Sequence, residues 1–447
     1  MDHQIEGYAN QRGLGAGSRL ELMVSTPAHR FRAYAYRIGG YQGGSGRLVW
    51  SSRSVRGRKQ QAPEVTPDTR AVVAHWSPSL SVATTRWPEG FYLIKLVAST
   101  GFEAYVPLTI SSQRTAGRVV LVMPTMTWQA YNGWGGYDLY GSGTHTYKGD
   151  AVSFDRPYQA PGANEFLYNV LGTVVLGEQL GVPLAYETDV QVATRARLLD
   201  GATGYVSLGH DEYWTVPERH NVTRARDRGT NLAFLSSNSV YWRVRLEGGR
   251  TGSNRLVVGY KEDASSSDPL RYADPATTTA RWRDPPHPVP ENSLTGTLYE
   301  CYPVDEPYRV ASPRWWGFRG TGAKAGTELS HLVADEADRV YPVPSTPRPL
   351  QILSDLSYRC MGVLTSTQST YYTTPSGAGV IDFGTQRWSC AVKPECAPLS
   401  LKTTRFVRTV TSNVLRAFAI GPVGRSHPAH DNVRDFVLPT YNQVPAS

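Results

Sequence analysis

Hydrophobic and polar residues alternate along the first quarter of the chain, as they do in strands with one buried face. Residues 19–26, "RLELMVST", alternate in this way, and residues 29–41, "HRFRAYAYRIGGY", do so up to a glycine-rich turn. Two further strands are predicted at "GFYLIKLVAST" and "AYVPLTISS". Short alternating strands with Gly and Pro turns predict an immunoglobulin-like β-sandwich over residues 1–112, which a polar linker then follows.

From residue 118 the pattern changes to apolar runs separated by segments of helical periodicity. The runs "RVVLVMP", "VPLAYET", "GYVSLG" and "TNLAFLSS" are the continuous apolar sequences expected of strands buried on both faces. Between them, "NEFLYNVLGTVVLGEQLG" has helical spacing and ends at Gly181, a typical C-terminal cap. Two more helices are predicted at "ATRARLLDG" and "VPERHNVTRARDRG". This order predicts a parallel, doubly wound α/β domain over residues 118–447.

A region at about 244–330 interrupts the α/β pattern and is rich in Pro, Gly and Trp. It includes the sequence "DPPHPVPENSLTG" and is predicted to be a loop-rich insertion. The α/β pattern then resumes with a late strand in "AGVIDFGTQRW" and a closing amphipathic helix in "TTRFVRTVTSNVLRAFA".

Composition and charge exclude some classes of protein. The chain has 447 residues, of which 40% are hydrophobic and 19% charged, as in an ordinary globular protein. Its net charge of +8 is spread along the chain, so a nucleic-acid partner is not expected. No stretch approaches the ~18 consecutive apolar residues of a membrane span. No signal peptide is recognised, and we expect a soluble cytoplasmic protein without a membrane partner.

Sequence motifs for several common chemistries are absent. The four cysteines, Cys301, Cys360, Cys390 and Cys396, have no CxxC spacing. This argues against a zinc site and a disulfide framework, although Cys390 and Cys396 could pair. The chain also lacks the GxSxG, GxGxxG and GxxxxGK[ST] motifs, which disfavours serine-nucleophile, dinucleotide and nucleoside-triphosphate chemistry.

Three clusters of aromatic and polar residues follow the ends of predicted parallel strands. They are "PTMTWQAYNGWGGYDLYG" after residues 119–123, "HDEYW" after residues 204–209 and "SNSVYWR" after residues 231–236. Ligands bind outside the carboxyl ends of the strands in such a sheet, so the clusters should face one crevice. The remaining donors are oxygen atoms of Tyr, Asp and Glu, which suit a hard metal ion.

Each cluster also has a structural interpretation. His210 could cap a helix or bridge two loops. Asp211 and Glu212 precede a predicted helix, whose N-terminus their charges would stabilise. Trp214 and Trp242 could serve only in packing, so the residues by themselves leave both interpretations open.

Several segments together resemble the large subunit of N,N-dimethylformamidase and its bacterial relatives. They are "MPTMTWQAYNGWGGYDLY", "GYVSLGHDEYWT", "NLAFLSSNSVYWRVRLE", "ENSLTGTLY" and "HLVADEADRV". The likeness extends through "GAGVIDFGTQRWSCAV" to "TSNVLRAF", about residues 118–420, and the opening β-rich segment is similar as well. The resemblance implies a glutamine-amidotransferase-like α/β fold that has lost the cysteine nucleophile.

The resemblance further implies a mononuclear iron, Fe³⁺, held by two tyrosinates and one glutamate. By motif, the tyrosines are Tyr213 in "HDEYW" and Tyr241 in "SVYW". The glutamate is Glu336 in "LVADEADR", where Asp335 or Asp338 could serve instead. Such an ion polarises an amide carbonyl and generates hydroxide near neutral pH.

The candidate catalytic residues are His210, Asn238 and Glu212, with His210 as proton shuttle and Asn238 as oxyanion donor. We expect a metal-dependent hydrolase acting on a C–N bond of a small molecule. Loops rich in Trp and Tyr, residues 128–147 and 282–316, suggest a substrate larger and flatter than dimethylformamide. The chain could also form a homo-oligomer. Two alternatives are a non-catalytic carbohydrate- or polymer-binding protein and a metal-dependent biosynthetic enzyme of another reaction type.

Overall fold

The computed structural model describes residues 3–141 and 146–439 of the chain. Between residues 3 and 111 these form strands only, namely β1 (Glu6–Ala9), β2 (Gly13–Gly15), β3 (Arg19–Ser25), β4 (Arg30–Tyr41), β5 (Gly44–Ser51), β6 (Val55–Arg56), β7 (Glu64–Val65), β8 (Val72–Val73), β9 (Leu80–Ala83), β10 (Gly90–Ala98) and β11 (Glu103–Ser111). One sheet has the order β1-β3-β9, and a larger one has the order β2-β11-β10-β4-β5.

These two sheets share an apolar core. Leu20 and Leu22 on β3, Ile94 and Leu96 on β10, and Leu108 on β11 are fully buried in one cluster. Residues two apart on a strand point to the same face, which is why the alternating sequence forms this core. The prediction that this region is all-β is therefore confirmed, whereas its immunoglobulin-like topology stays a prediction.

The rest of the chain mixes strands and helices. The strands are β12 (Val119–Met123), β13 (Tyr137–Asp138), β14 (Tyr147–Lys148), β15 (Ala151–Ser153), β16 (Leu184–Thr188), β17 (Gly204–Ser207), β18 (Tyr213–Thr215), β19 (Asn231–Phe234), β20 (Trp242–Gly249), β21 (Gly252–Val258), β22 (Leu298–Arg309), β23 (Glu328–Arg339), β24 (Leu350–Cys360), β25 (Val363–Thr373) and β26 (Gly379–Asp382). The α-helices are α1 (Thr125–Ala130), α2 (Leu171–Gln179), α3 (Asp189–Thr194), α4 (Val216–Arg226), α5 (Ala264–Ser267), α6 (Asn292–Thr295), α7 (Trp388–Ala391) and α8 (Leu401–Ile420).

The central sheet has the strand order β16-β12-β17-β19-β26-β25-β24. The strands from β16 to β26 are parallel to their neighbours, as the sequence predicts, and β25 and β24 continue the sheet antiparallel. All residues of β12 are fully buried. Burial on both faces explains why the sequence of this strand is apolar without alternation.

Helices cover both faces of the central sheet. On one face Leu121 of β12 lies in an apolar cluster with Val174 of α2 and Val414 of α8. On the other face Val120 lies in a cluster with Val222 of α4. The doubly wound arrangement is thus present, and its glutamine-amidotransferase-like character stays a prediction.

One predicted helix lies at a different place in the chain. The helix expected at "ATRARLLDG" is wrong, because α3 ends at Thr194 and residues 196–201 form turns. The Thr188 side chain accepts a hydrogen bond from the Gln191 backbone N–H, and the Gln191 side chain accepts one from the Thr188 backbone N–H. This capping box starts the helix several residues earlier than the apolar spacing suggests.

The region at about 244–330 is more regular than predicted. Strands β20 and β21 from this region join β15 and β18 in a four-stranded sheet. Strand β22 pairs with β23 over most of its length. Because β18 begins at Tyr213 and β20 begins at Trp242, this small sheet carries two of the three predicted clusters.

The expectation that there is no disulfide framework is wrong. Cys301 is bonded to Cys360, with their Cα atoms 6.1 Å apart, and Cys390 is bonded to Cys396. The first pair joins β22 to β24 across 59 residues, a proximity that sequence spacing does not reveal. Disulfides persist mainly in oxidising compartments, which counts against the cytoplasmic location predicted from the sequence.

Within residues 3–141 and 146–439, the structure contains no helix long and apolar enough to cross a membrane.

We predict that Glu187 destabilises the central sheet as the pH rises. Its side chain on β16 is fully buried, and burial raises its pKa to about 8 although Arg195 opposes the shift. The folded protein therefore keeps a proton that the unfolded chain releases above its ordinary pKa of ~4.3. Stability then falls from about pH 4.5 to pH 8.

Glu187→Gln cannot ionise, so its melting temperature should exceed that of the wild type by a few degrees at pH 8 and equal it at pH 4.5. Differential scanning calorimetry at the two pH values measures this difference. An equal gain in melting temperature at both pH values would show that ionisation of Glu187 is not the cause.

Candidate active site

One pocket of about 1050 Å³ lies beyond the carboxyl ends of β12, β17 and β19. All three predicted clusters contribute to its wall, together with strand β23. The contributing residues include Tyr131, Tyr140, His210, Glu212, Asn238, Tyr241, Trp242 and Glu336. The sequence separates these side chains by up to about 200 residues, and the parallel strands bring them to one edge of the sheet.

The "HDEYW" segment is held by a tight turn and by helix α1. Gly209 has a φ of +75°, and a Cβ there would lie 2.4 Å from the Asn169 side chain, so glycine is required. The Thr127 hydroxyl of α1 accepts hydrogen bonds from the backbone N–H groups of Glu212 and Tyr213, at 3.0 and 3.2 Å. These contacts fix where the segment leaves strand β17.

The "SNSVYW" segment has an unusual backbone. Asn238 and Val240 have φ values of +52° and +61°. A positive φ is unfavourable for residues other than glycine, and especially for a β-branched residue such as Val240. The Val240 and Tyr241 N–H groups donate to the carbonyls of Asp211 and Glu212, at 3.0 and 2.9 Å. Backbone strain of this kind persists where the surroundings enforce it, and it is frequent at functional sites.

His210 lies between two buried carboxylates. Its Nε2 is 3.1 Å from Glu336 Oε2 and 3.6 Å from Glu212 Oε2. The Asn238 side-chain amide donates to Glu336 Oε1 at 3.0 Å. Burial by itself would lower the pKa of His210, but Glu336, Glu212 and Glu165 outweigh it and raise the pKa to about 9. The imidazole therefore holds a proton at neutral pH in this arrangement.

Two stacked tyrosines hold Glu212. The Tyr131 hydroxyl donates to Oε2 and the Tyr140 hydroxyl to Oε1, both at 2.7 Å, and the ring centroids are 4.7 Å apart. Burial raises the pKa of Glu212, while the positive charge of His210 opposes the shift. The sequence marked the aromatic loop that contains both tyrosines but gave no sign of which of its rings reach the carboxylate.

Lys261 is a pocket residue that sequence reasoning missed. Its ammonium group lies 3.1 Å from the centroid of the Tyr140 ring and donates to the Leu139 carbonyl at 3.2 Å. Burial lowers its pKa to about 8, against the opposing effect of Glu212. Its φ is +59°, a further strained position at the pocket. It lies in the region predicted as an insertion, where no motif distinguishes it.

The three predicted metal ligands occupy different parts of the site. Glu336 and Tyr241 line the pocket. Tyr213 is fully buried at its edge, with its ring edge-on to those of Tyr131 and Tyr140 at 6.3 and 6.4 Å. Burial and the charge of Glu212 raise the pKa of Tyr213 well above its usual value.

The Tyr241 hydroxyl has a more positive environment than that of Tyr213. Arg281 interacts with the hydroxyl, and the Arg283 guanidinium lies 5.3 Å from the ring centroid. Burial raises the pKa of Tyr241, and these two arginines oppose the shift. Of the two phenols, Tyr241 therefore has the surroundings that favour the phenolate form.

The oxygen atoms of this site fit a hard cation. Tyr213 Oη and Asn238 Oδ1 are buried and make no hydrogen bond within the described ranges, and Glu336 Oε2 lies 3.1 Å from His210 Nε2. Buried polar atoms ordinarily have a partner, and oxygen donors are those that hard ions prefer. In residues 3–141 and 146–439 no group of three or more His, Cys, Asp and Glu side chains could hold a metal ion.

The fold and the pocket define a mixed α/β protein with an enzyme-like acid–base site at the carboxyl edge of a parallel sheet. The family described as N,N-dimethylformamidase beta subunit-like, C-terminal, matches residues 32–398. The match covers most of the chain, and the protein belongs to this family. Membership indicates a hydrolase that acts on amides. A comparison with curated proteins found no significant match.

Proposed function

We propose that the protein hydrolyses the C–N bond of a small-molecule amide in this pocket, using a mononuclear Fe³⁺ bound by Tyr213, Tyr241 and Glu336. The observation that carries the proposal is the position of His210 between two buried carboxyl groups, together with buried Tyr213 and Asn238 oxygen atoms that make no hydrogen bond within the described residues. Family membership supports amide hydrolysis as the reaction.

Glu336 is a better candidate for the third ligand than either neighbouring aspartate. Its carboxyl group lines the main pocket, where Oε2 lies 3.1 Å from His210 Nε2. Asp335 instead accepts from the Tyr168 hydroxyl at 3.2 Å. Asp338 accepts from the Asn238 backbone N–H at 2.8 Å. Of these three acidic residues, Glu336 is the one that lines the main pocket.

A bound ferric ion would supply Lewis acidity to the amide carbonyl and lower the pKa of a water molecule. The protein supplies the proton transfer: His210 holds a proton that it can give to the departing nitrogen. Glu212, fixed by Tyr131 and Tyr140, places a carboxyl oxygen 3.6 Å from the Nε2 atom of this imidazole. Asn238 has a second amide hydrogen that can donate to the developing oxyanion.

The proposal is tested on protein purified without chelators. We expect about one iron per chain by elemental analysis, a visible phenolate-to-iron absorption band, and hydrolysis of simple amides. Removal of the metal should abolish the band and the activity together, and Fe³⁺ should restore both.

Hydrolysis in ¹⁸O-labelled water separates the proposed reaction from other metal-dependent chemistry. The carboxylic acid product should carry one labelled oxygen, because the water oxygen forms the new bond to carbon. A colourless, metal-free preparation that retains full activity would contradict the metal site, and an unlabelled product would contradict hydrolysis.

A further inference from the structure

A second cavity borders the main pocket near the acid–base cluster. This neighbouring cavity has a volume of about 560 Å³. Glu165, Tyr302 and Gln386 line both cavities, so the two are adjacent. The His210 cluster in the main pocket therefore lies near the border with a second cavity.

Strand β23 separates the two cavities and contributes a carboxylate to each. Glu336 lines the main pocket and Asp335 lines the second cavity. Asp335 has a φ of +66°, and Gln386 donates its backbone N–H to the Glu336 carbonyl at 3.4 Å. A bond cleaved beside Glu336 thus has space on both sides.

The walls of the two cavities differ in chemistry. Beside its charged and polar groups, the main pocket has six aromatic rings that do not line the second cavity, namely Trp128, Tyr131, Tyr140, Tyr241, Trp242 and Tyr299. The second cavity is lined by hydrogen-bonding side chains, namely Asn164, Tyr168, Asn169, Asp335, Gln386 and Lys393. The first suits a planar aromatic group, and the second suits a polar group with donors and acceptors.

The volume of the site also indicates a substrate larger than a dialkylformamide. Pockets of ~300–1,000 Å³ hold ligands of drug size, and the main pocket alone has about 1050 Å³. A dialkylformamide would leave most of this space, and all of the second cavity, without contact. Little of the available binding energy would then serve to orient the scissile bond.

We infer that the substrate is an internal amide with a planar aromatic group on one side of the C–N bond and a polar group on the other; this inference rests on the proposed function. The aromatic group lies in the main pocket and the polar group lies in the second cavity beyond Tyr302. Water adds its oxygen to the acyl carbon, the C–N bond breaks, and the nitrogen leaves with a proton. Each product keeps one of the two groups.

Three probes with none, one and both groups test the inference: N,N-dimethylformamide, benzamide and benzoylglycine. We expect kcat/KM to rise about tenfold or more at each step, in that order, as each cavity becomes occupied. Equal or faster turnover of N,N-dimethylformamide relative to benzoylglycine would overturn the inference and leave the proposed function standing.

Two variants locate the polar group in the second cavity. Tyr302→Ala and Lys393→Met should each lower the ratio of kcat/KM for benzoylglycine to that for benzamide by about tenfold. Tyr272→Ala removes an exposed ring that lines neither cavity, and this control should keep the wild-type ratio. A wild-type ratio in both cavity variants would overturn the placement of the polar group.

Binding measurements separate failure of this inference from failure of the proposed function. Calorimetry with benzoylglycine and benzamide should give a Kd at least about tenfold lower for benzoylglycine, whether or not either amide is cleaved. Tighter binding without turnover of any probe would count against the proposed hydrolysis and support the two-sided site. Equal Kd values would overturn the two-sided site.

Discussion

Glu336→Gln should reduce kcat/KM for amide hydrolysis by about 10³-fold or more while the protein stays folded. The substitution keeps the shape of the side chain and an oxygen that can accept from Asn238. It removes the negative charge 3.1 Å from His210 Nε2 and one anionic donor of the proposed iron site. Both the proton position and the metal affinity should therefore change. Steady-state kinetics, iron content and circular dichroism measure the three effects.

Asp335→Asn and Asp338→Asn are the matched controls for this prediction, because they neutralise the two neighbouring carboxylates on β23. Iron content should stay near the wild-type value in Asp335→Asn, whose side chain lies in the second cavity. In Asp338→Asn the expected change is in folding stability, since the Asp338 carboxyl accepts from the backbone of Asn238. Loss of iron in either aspartate variant, with retention in Glu336→Gln, would move the third ligand to that aspartate.

The sequence predicts the sheet and the location of the site because both depend on local patterns. Continuous apolar runs identify strands buried on both faces, as for β12 and β17. In a parallel sheet the strand ends lie at one edge, so the residues that follow them converge on it. His210 after β17 and Asn238 after β19 are brought together in this way, with Glu336 as their common neighbour.

What the sequence could not predict depends on contacts between distant segments. The Tyr131 and Tyr140 hydroxyls reach Glu212 only because the loop after α1 folds back over it. Lys261 and the bond between Cys301 and Cys360 depend on how the region from 244 to 330 packs on the core. Periodicity carries no information on such contacts, since it reports which face of an element is buried and not what covers that face.

The two tyrosines show the same limit within a single site. The sequence motifs predict the same role, that of a metal ligand, for Tyr213 and Tyr241. In the structure, however, their hydroxyl groups have different surroundings. The negative charge of Glu212 adds to the effect of burial in raising the pKa of Tyr213. By contrast, the positive charges of Arg281 and Arg283 oppose the effect of burial on the pKa of Tyr241. A cation would relieve the unfavourable burial of Tyr213, while Tyr241 already has positive charge beside it.

Tyr213→Phe and Tyr241→Phe should each lower iron affinity at least about 100-fold and weaken the visible band in parallel. Each change removes only a hydroxyl, so the buried ring still packs and the apo-protein should unfold near the wild-type temperature. Any loss of thermal stability should appear only in the iron-loaded protein, because it reflects the lost binding energy of the ion. Iron titration followed by visible absorption, with calorimetry on both forms, measures these quantities.

Tyr205→Phe is the matched control for the loss of a buried tyrosine hydroxyl. Tyr205 is fully buried, its hydroxyl has no hydrogen-bond partner in the described chain, and it packs in the cluster on the α4 face of the sheet, away from the pocket wall. This variant should bind iron as the wild type does. If Tyr213→Phe and Tyr241→Phe also keep full iron occupancy and colour, neither hydroxyl is a ligand. The two rings would then serve only in packing, and the proposed metal site would have to be abandoned.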